Sequence, residues 1–405
     1  MVDCQELSPA PDPTVLRLIT RLNIGGPSIQ AIELTCRLPA LGYQTVLAHG
    51  MVGDGEGDMR YLFDGRPPGD YTVVEVPTLV RSLAPADDAR TIWRVLALLR
   101  RFRPMILHTH MAKAGTVGRV AASLYNRTVS ARYRVRLVHT YHGHVLDGYF
   151  SPAKTRFFVG IERALARVTD RVIAISPRIR EELLQDYRIG RSDQYRIVPL
   201  GFDLSPFAAI DDHARVAARD ALHIPPGSPV ISTVGRLTAI KQQPLFLAVA
   251  RRVLARVPAA TFLIVGDGEL RGELEQSARE LGIGASVRFL GWRRDLATVY
   301  GATDVFVLTS RNEGTPVALI ESMAAGCAGV STDVGGVADV IIGPGVGRVA
   351  PFGDAEQLAS HVAGLVLDPD ARRSIGDAGR AHVLARFGID RLVGDIDRVY
   401  RELLP

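Results

Sequence analysis

Two glutamates eight residues apart, Glu313 and Glu321, lie in residues 311–326, the stretch of this 405-residue chain whose residue types are best suited to binding or catalysis. The apolar run Val305–Thr309 leads into it and predicts a buried strand. Thr315-Pro316 then have the residue types of a helix N-cap and first helical position, and the final glycine is typical of a helix end. We therefore expect Glu313 on a strand-to-helix turn and Glu321 inside a short helix.

This turn offers two kinds of contact to a ligand. The backbone N–H groups of Gly314 and Thr315, at a helix N-terminus, form an anion site that suits a phosphate. The helix around Glu321 is apolar on most faces, so its carboxylate should be buried and needs a partner. Together these groups make a receptor for a sugar diphosphate that carries a ribose. The alternative is that Glu313 only caps the turn and Glu321 pairs with an arginine.

A second cationic loop follows the predicted strand Val230–Val234. Arg236 and Lys241 flank it and can supply two positive charges to a diphosphate without a metal. Taken alone, an arginine and a lysine five residues apart are most often solvated surface charges.

Histidines concentrate in two clusters at the ends of predicted strands. They are His108, His110, His139, His142 and His144, five of the ten in the chain. Ligands of parallel sheets bind at the carboxyl ends of strands, which favours contacts to a ligand, although core histidines remain a close alternative. No H-E-x-x-H or carboxylate accompanies them, so we expect no metal site.

Strand and helix patterns alternate along the whole chain, which predicts an α/β protein with parallel sheets. The turn at Gly25-Gly26, after a first predicted strand, lets a ligand approach the backbone closely, although an ordinary tight turn fits as well. The pattern breaks near residues 198–206. We expect one domain over residues 1–205, a second over 206–386, and a terminal helix in 387–405 that returns to the first.

Composition narrows the class of protein. A hydrophobic content of 47% with 22% charged residues describes a globular chain, and neither a spanning helix nor a signal peptide is evident, so we expect a cytoplasmic protein. The three cysteines, Cys4, Cys36 and Cys327, have neither disulfide nor metal-ligand spacing, and we expect Cys36 and Cys327 in the core.

Positive charge lies on the first half of the chain, where residues 1–205 hold 27 Lys and Arg against 20 Asp and Glu. No nucleic-acid-binding motif accompanies it. An anionic membrane at the inner face of the plasma membrane, or an acidic acceptor, accounts for the excess, which is densest at Arg127, Arg132, Arg134 and Arg136. An arginine-rich composition without a partner explains it equally well.

The motifs resemble those of glycosyltransferase family 4. Glu313-x₇-Glu321, preceded by Asp304–Ser310 and followed by Asp333-Val-Gly-Gly336, is similar to that family's signature. The resemblance implies a GT-B fold, two doubly wound Rossmann-like domains facing across a cleft, and a retaining transfer from a nucleotide sugar. It implies that Glu313 contacts sugar hydroxyls and Glu321 the ribose.

Further residues take roles from the same resemblance. Gly235-Arg-Leu…Lys241 is similar to the diphosphate-binding loop, although Gln242 stands where the family often has glycine. Thr140-Tyr-His142-Gly143 resembles a motif whose histidine contacts the transferred sugar or its phosphate. The turn at Gly291, Trp292 and Arg293 corresponds to the nucleobase site, and Gly25-Gly26 borders the cleft.

The resemblance implies a metal-independent enzyme that uses a nucleoside diphosphate sugar, chiefly a UDP-sugar, as donor substrate and needs no cofactor. The acceptor would be a glycan or a lipid-linked glycan of cell-surface polysaccharide biosynthesis, bound by the first domain. The leaving phosphate would assist deprotonation of the acceptor. A sugar-nucleotide epimerase of the same fold and a non-catalytic nucleotide-sugar-binding protein are the alternatives.

Overall fold

The computed structural model describes residues 12–53, 57–66, 71–82, 84–143 and 152–404. The chain divides into two compact units: unit 1 comprises Met1–Leu200 with Asp390–Pro405, and unit 2 comprises Gly201–Ile389.

Unit 1 is built on a sheet of parallel strands in the order β3-β2-β1-β4-β5-β6-β7. Its described strands are β1 (Thr14–Ile19), β2 (Gln44–His49), β3 (Tyr71–Glu75), β4 (Ile106–His110), β5 (Arg136–Tyr141), β6 (Arg171–Ala174) and β7 (Tyr195–Ile197). Its described α-helices are α1 (Gly26–Arg37), α2 (Pro85–Phe102), α3 (Ala112–Thr128), α4 (Pro152–Ala166) and α5 (Pro177–Glu181), the last continued by a π-helical turn.

Unit 2 repeats this plan with a sheet in the order β10-β9-β8-β11-β12-β13, also parallel. Its strands are β8 (Val230–Val234), β9 (Thr261–Val265), β10 (Val287–Gly291), β11 (Val305–Leu308), β12 (Ala328–Thr332) and β13 (Arg348–Ala350). Its α-helices are α6 (Ser205–Ala208), α7 (Asp212–Ala221), α8 (Gln243–Leu254), α9 (Arg271–Glu280), α10 (Leu296–Ala302), α11 (Val317–Ala324), α12 (Ala355–Leu367) and α13 (Pro369–Phe387).

The buried strands explain the apolar runs of the sequence. Strands β9, β11 and β12 are buried at every position, because helices cover both faces of a doubly wound sheet. Strand order reverses between β1 and β4 in unit 1 and between β8 and β11 in unit 2. Such switch points leave a crevice at the carboxyl ends of the strands, where ligands of open α/β sheets bind.

The last helix, α14 (Ile389–Arg401), packs on unit 1. Tyr400 is fully buried, and its hydroxyl lies 2.7 Å from Nδ1 of His108. Arg391 donates to the carbonyl oxygens of Pro199 and Leu200 at 3.0 and 2.7 Å. None of the helices in the described residues combines the length and apolarity needed to cross a bilayer.

The sequence has the pattern Asp-x-Asp, which occurs in some metal sites, at residues 368–370 and 395–397, and aspartates of both have structural partners. Asp395 and Asp397 form ion pairs with arginines on the same helix, and Asp397 also accepts a hydrogen bond from Tyr43 at 2.8 Å. Asp368 caps α13 through the N–H of Ala371. Among the residues that the structure describes, no group of three His, Cys, Asp or Glu side chains is placed to hold a metal ion.

Cys327 lies in the core as predicted, whereas Cys36 is partly buried and packs against the margin of a core cluster in unit 1. Cys327 is 1% exposed, and burial raises the pKa of its thiol to about 12. Cys36 is only half-buried because it lies at the end of α1, beside the side chains of Arg66 and Tyr71.

Candidate active site

The loops after β8 and β11 bring Lys241 and Glu313 together. The Nζ atom of Lys241 lies 2.6 Å from Oε1 of Glu313, and the buried hydroxyl of Ser310 donates to the same oxygen at 2.6 Å. The Glu313 side chain is only 9% exposed, so both donors offset the cost of burying a carboxylate. Its Oε2 atom makes no hydrogen bond to a described residue and remains available to a ligand.

Arg236 lies in the same loop as Lys241 but is exposed. Its carbonyl oxygen accepts a hydrogen bond from the side chain of Gln243 at 2.8 Å, which fixes the backbone. Within the described ranges its guanidinium has neither an ion pair nor a hydrogen bond. The loop therefore presents one cation already paired with a carboxylate and one that is free for a ligand.

The backbone conformation of Gln242 shows why the family often has glycine at the position after Lys241. Gln242 adopts a left-handed conformation, with φ 52° and ψ 44°, between the 3₁₀ turn at Lys241 and helix α8. This conformation costs a non-glycine residue about 1–2 kcal/mol. The side chain of Gln242 donates to the carbonyl oxygen of Ala239 at 2.7 Å, which offsets part of that cost.

The Gly335-Gly336 pair allows the backbone of the loop after β12 to pack directly against the backbone of the loop after β11. The N–H of Gly336 donates to the carbonyl oxygen of Glu313 at 2.9 Å. A Cβ atom on Gly335 would lie 2.0 Å from that oxygen, and one on Gly336 would lie 1.8 Å from the carbonyl oxygen of Gly314. Only glycines fit here, so the loop after β12 holds the backbone of Glu313 and Gly314 in place.

The turn before α11 differs in detail from the prediction. Pro316 takes the N-cap position with ψ 79°, the helix begins at Val317, and the side chain of Thr315 caps nothing. The carbonyl oxygen of Thr315 accepts instead from the N–H of Val317 at 3.0 Å. The N–H groups of Gly314 and Thr315 donate to no described residue, so they remain available to an anion.

Glu321 has a phenol as its partner. Tyr300, a buried residue of α10, donates its hydroxyl to Oε2 of Glu321 at 3.1 Å. The residue is half-buried rather than buried, because it lies on the one face of α11 that is left partly open, together with Val317 and Ala318. Burial raises the pKa of Glu321 to about 7, and the Tyr300 hydrogen bond offsets part of that rise.

Trp292 and Arg293 follow β10, the edge strand of the unit 2 sheet. Trp292 is 59% exposed, so it is not a packed core residue and its ring is open to stacking. Arg293 donates from Nε to Asp295 at 2.9 Å and lowers the pKa of that carboxyl by this hydrogen bond. The structure does not bring these two residues into contact with Lys241 or Glu313.

In unit 1, Gly25-Gly26 forms the turn between β1 and α1. Gly25 has φ 152° and ψ 164°, a region that glycine alone enters readily. A Cβ atom on Gly26 would lie 2.7 Å from a methyl group of Leu200. Gly25 is therefore required by the turn itself, whatever ligand it contacts, whereas an alanine at position 26 would need only a shift of the Leu200 side chain.

The four described histidines of the two clusters form a polar layer at the ends of β4 and β5. His108 lies between the hydroxyls of Tyr400 and Thr140, each at 2.7 Å, and His139 lies 2.8 Å from the hydroxyl of Thr109. His108, His110 and His139 are at most 1% exposed, and burial holds the pKa of each ring well below its usual value. These three are neutral core histidines.

His142 is half-buried just beyond the end of β5, and its Nε2 lies 3.0 Å from Nδ1 of His110. Burial lowers the pKa of its ring to about 3, so His142 is neutral at pH 7. His144 lies outside the described residues.

Sequence reasoning missed Ser310 and Tyr300. Ser310 was recognisable, because it directly follows the strand and lies three residues before Glu313. Tyr300 was not recognisable, because no pattern links a tyrosine on α10 to a glutamate on α11.

Comparisons with known proteins give the family. Residues 24–206 match the family described as Glycosyltransferase Family 4, and residues 215–382 match Glycosyl transferases group 1. Among relatives, UDP-Gal:alpha-D-GlcNAc-diphosphoundecaprenol alpha-1,3-galactosyltransferase of Escherichia coli is 29% identical over 265 residues, which are 64% of this chain and 66% of that protein. D-inositol 3-phosphate glycosyltransferase 2 of Catenulispora acidiphila is 30% identical over 70% of this chain and 67% of its own length.

A solved structure agrees in fold. The Anabaena protein Alr3699/HepE in complex with UDP superposes with a TM-score of 0.77 at 21% identity, over 96% of this chain and all of its own. The chain therefore belongs to the group 1 glycosyltransferases of glycosyltransferase family 4 and has their GT-B fold.

Proposed function

We propose that the protein is a retaining glycosyltransferase that moves a hexosyl group from a UDP-sugar to a glycan or lipid-linked glycan in cell-surface polysaccharide biosynthesis. The observation that carries this proposal is the pair Lys241–Glu313 beside the free Arg236 at the switch point of the unit 2 sheet. These groups suit the diphosphate and the sugar hydroxyls of one donor.

Departure of the diphosphate requires stabilisation of its growing negative charge. In the proposed site Arg236 approaches the diphosphate directly, and Lys241 is shared between the diphosphate and Glu313. The N–H groups of Gly314 and Thr315 add two neutral donors. With these four donors the reaction needs neither a metal nor a cofactor, and the leaving phosphate assists deprotonation of the acceptor hydroxyl.

The carboxylates have separate roles in this proposal. Glu313 accepts hydrogen bonds from sugar hydroxyls through its open Oε2 atom, and Glu321 accepts them from the ribose. Trp292, already exposed, contacts the base together with Arg293. In unit 1, Gly25-Gly26 and His142 contact the sugar or its phosphate.

The names of relatives support the substrate classes. The Escherichia coli relative is named for a UDP-galactose donor and a diphosphoundecaprenol acceptor, and HepE was solved with UDP. We extend these classes to this chain. Because such an acceptor is held in a membrane, the proposal includes contact of the protein with the anionic inner face of the plasma membrane.

A donor panel tests the function without knowledge of the acceptor. The full-length protein is incubated with UDP-, GDP- and ADP-sugars, with and without EDTA. Slow release of the nucleoside diphosphate and a rise in Tm are measured for each. We expect a response to UDP-sugars that survives EDTA.

Arg236→Ala and Lys241→Ala should each lower the rate by about 10²–10³, the scale of losing one preorganised donor. Arg251→Ala, an exposed arginine on α8, is the matched control and should keep the rate. Conversion of the sugar nucleotide without transfer, binding without turnover, or complete metal-reversible loss in EDTA contradicts the proposal.

A further inference from the structure

The contact between His110 and His142 links two strands at the carboxyl edge of the unit 1 sheet. His110 is the last residue of β4 and pairs in register with Thr140 of β5, two residues before His142. Nδ1 of His110 lies 3.0 Å from Nε2 of His142, and the rings stack with centroids 5.2 Å apart. This is a direct hydrogen bond between two imidazoles.

In such a hydrogen bond the tautomer of one ring determines the tautomer of the other. One nitrogen must carry the proton and the other the lone pair, and each neutral ring has one proton. If His110 carries its proton on Nδ1, the proton of His142 must lie on its own Nδ1. If His142 carries its proton on Nε2, the proton of His110 must lie on its own Nε2.

The two remaining nitrogens decide between these arrangements. Nε2 of His110 and Nδ1 of His142 are both buried and have no hydrogen-bond partner among the described residues. His110 is 0% exposed, and its ring neighbour His108 already uses both nitrogens on Tyr400 and Thr140. Either arrangement leaves one of these two nitrogens with an N–H that has no partner among the described residues. On the fully buried His110 that N–H would stay unsatisfied, which is costly, whereas His142 is half-buried beyond the end of β5, at the sheet edge where ligands of such sheets bind, so the proton is better placed on its Nδ1.

A buried positive charge also acts on this pair. Arg17 is fully buried, and its guanidinium donates to Tyr400 and Thr35 at 3.3 and 3.2 Å. Its positive charge acts on the ring of His110. This charge disfavours protonation of the ring, so His110 carries a single proton and the hydrogen bond joins two neutral imidazoles.

We propose that His110 is a positioning residue that donates its Nδ1–H to Nε2 of His142 and thereby keeps the proton of His142 on Nδ1. His142 then donates a hydrogen bond, as a neutral ring, to an oxygen of the sugar or phosphate of the bound donor. The identity of that ligand rests on the proposed function, whereas the tautomer does not.

Nitrogen-15 NMR of the full-length protein labelled at histidine tests the tautomer directly, because the Nδ1 and Nε2 shifts distinguish N–H from lone-pair nitrogens. The His142 signals are assigned by their loss in His142→Gln. We expect Nδ1 of His142 to be protonated in the wild-type protein. In His110→Leu, which removes the donor, most of the His142 population should move to the Nε2–H tautomer.

Two further variants separate this effect from general disruption. His110→Asn places an amide N–H near the original Nδ1 and should restore the Nδ1–H tautomer. His139→Asn alters an equally buried histidine outside the pair and should leave the His142 signals unchanged. A wild-type His142 protonated on Nε2, or an unchanged tautomer in His110→Leu, overturns the inference.

Sugar transfer is measured on the same proteins. We expect turnover to fall about tenfold in His110→Leu and to recover in His110→Asn. Full turnover in His110→Leu overturns the link between tautomer and reaction. A wild-type protein with the expected tautomer but no transfer to any acceptor overturns the proposed function alone.

Discussion

Glu313 and Glu321 share a short segment but have different surroundings. Glu313 is held by an ammonium and a hydroxyl, whereas Glu321 is held by one phenol. A carboxylate beside a cation at the reacting diphosphate should act in the transition state. A carboxylate that contacts the ribose should stabilise the bound donor equally in the ground state and in the transition state.

The variants Glu313→Gln and Glu321→Gln should therefore differ in kinetics. Glu321→Gln should raise KM for the donor with little change in kcat, because the lost contact is equally strong in the ground state and in the transition state. Glu313→Gln should lower kcat and weaken the choice among UDP-sugars. Steady-state kinetics with two UDP-sugars measure both effects, and indistinguishable profiles would show that the roles are not separate.

Titration of Glu321 gives a pH dependence to donor binding. Its pKa is raised from 4.5 to about 7 by burial, so the group is half protonated at pH 7. A protonated carboxyl loses acceptor capacity toward ribose hydroxyls, so Kd should rise as pH falls below 7, by up to about tenfold per unit. Calorimetry between pH 6 and 8 measures this, and Glu321→Gln should have a flat profile.

The raised pKa of Glu321 affects the stability of the donor-free protein in the opposite direction, since it favours the folded state at low pH. The folded protein binds the Glu321 proton more tightly than the unfolded chain does. This contribution to stability is complete below pH 4.5 and is lost as pH rises through about 7. Between pH 6 and 8, Tm of the wild type should therefore fall relative to Tm of Glu321→Gln, and the reverse trend would contradict the assignment.

At the scale of elements, glycines lock the loops of unit 2 to one another. The loop after β12 meets the loop after β11 at Gly335-Gly336. The loop after β9 meets the loop after β8 in the same way, since a Cβ atom on Gly266 would lie 2.0 Å from the carbonyl oxygen of Gly235. The site is therefore one interlocked surface at the carboxyl edge of the sheet. Displacing one loop displaces the groups on its neighbour.

Gly336→Ala should push the backbone of Gly314 away, because the new Cβ would lie 1.8 Å from its carbonyl oxygen. We expect a loss of about 1–3 kcal/mol in unfolding free energy, the usual cost of overpacking, together with a large loss of turnover. Gly345→Ala is the matched control in the segment before β13, since its Cβ would have no neighbour within 4 Å. Equal stability and turnover in the two variants would show that this contact does not hold the site.

The sequence predicts the longer strands well and the two shortest strands poorly. Strand β11 begins at the first residue of its apolar run, and strands β1 and β5 begin one residue before theirs, because burial on both faces demands such runs. Edge strands β7 and β13 escape prediction, because each has three residues and little apolar signal. The predicted start of α11 is one residue early because proline suits both the N-cap and the first turn.

At the scale of the whole molecule, the excess of positive charge lies on unit 1. Its α2, α3 and α4 carry exposed arginines, while Asp87, Asp88 and Glu162 on the same helices are each paired with a basic side chain. Large apolar side chains are exposed on these helices too, with Trp93 at 67% and Phe157 at 66%. Cations beside exposed aromatic rings suit an anionic lipid surface.

The arginine-dense segment of unit 1 should contribute to membrane binding. Arg127, Arg132 and Arg134 are exposed, and Arg132 lies over the ring of Tyr133 with 4.4 Å between the guanidinium carbon and the ring centroid. Each basic residue near an anionic leaflet contributes about 1 kcal/mol. Changing all three to serine should weaken binding to anionic vesicles by about 10²-fold, since about 1.4 kcal/mol is a factor of ten.

Sedimentation with phosphatidylserine-containing vesicles, and with neutral vesicles as a reference, measures this binding. The wild type should bind the anionic vesicles and dissociate at high salt, because screening shortens the reach of these charges. A triple serine variant of Arg251, Arg252 and Arg256, exposed arginines of unit 2, removes the same charge and should bind normally. Equal weakening in both variants would mean that net charge, rather than this surface of unit 1, attracts the membrane, and binding to neither kind of vesicle would remove the membrane from the proposed function.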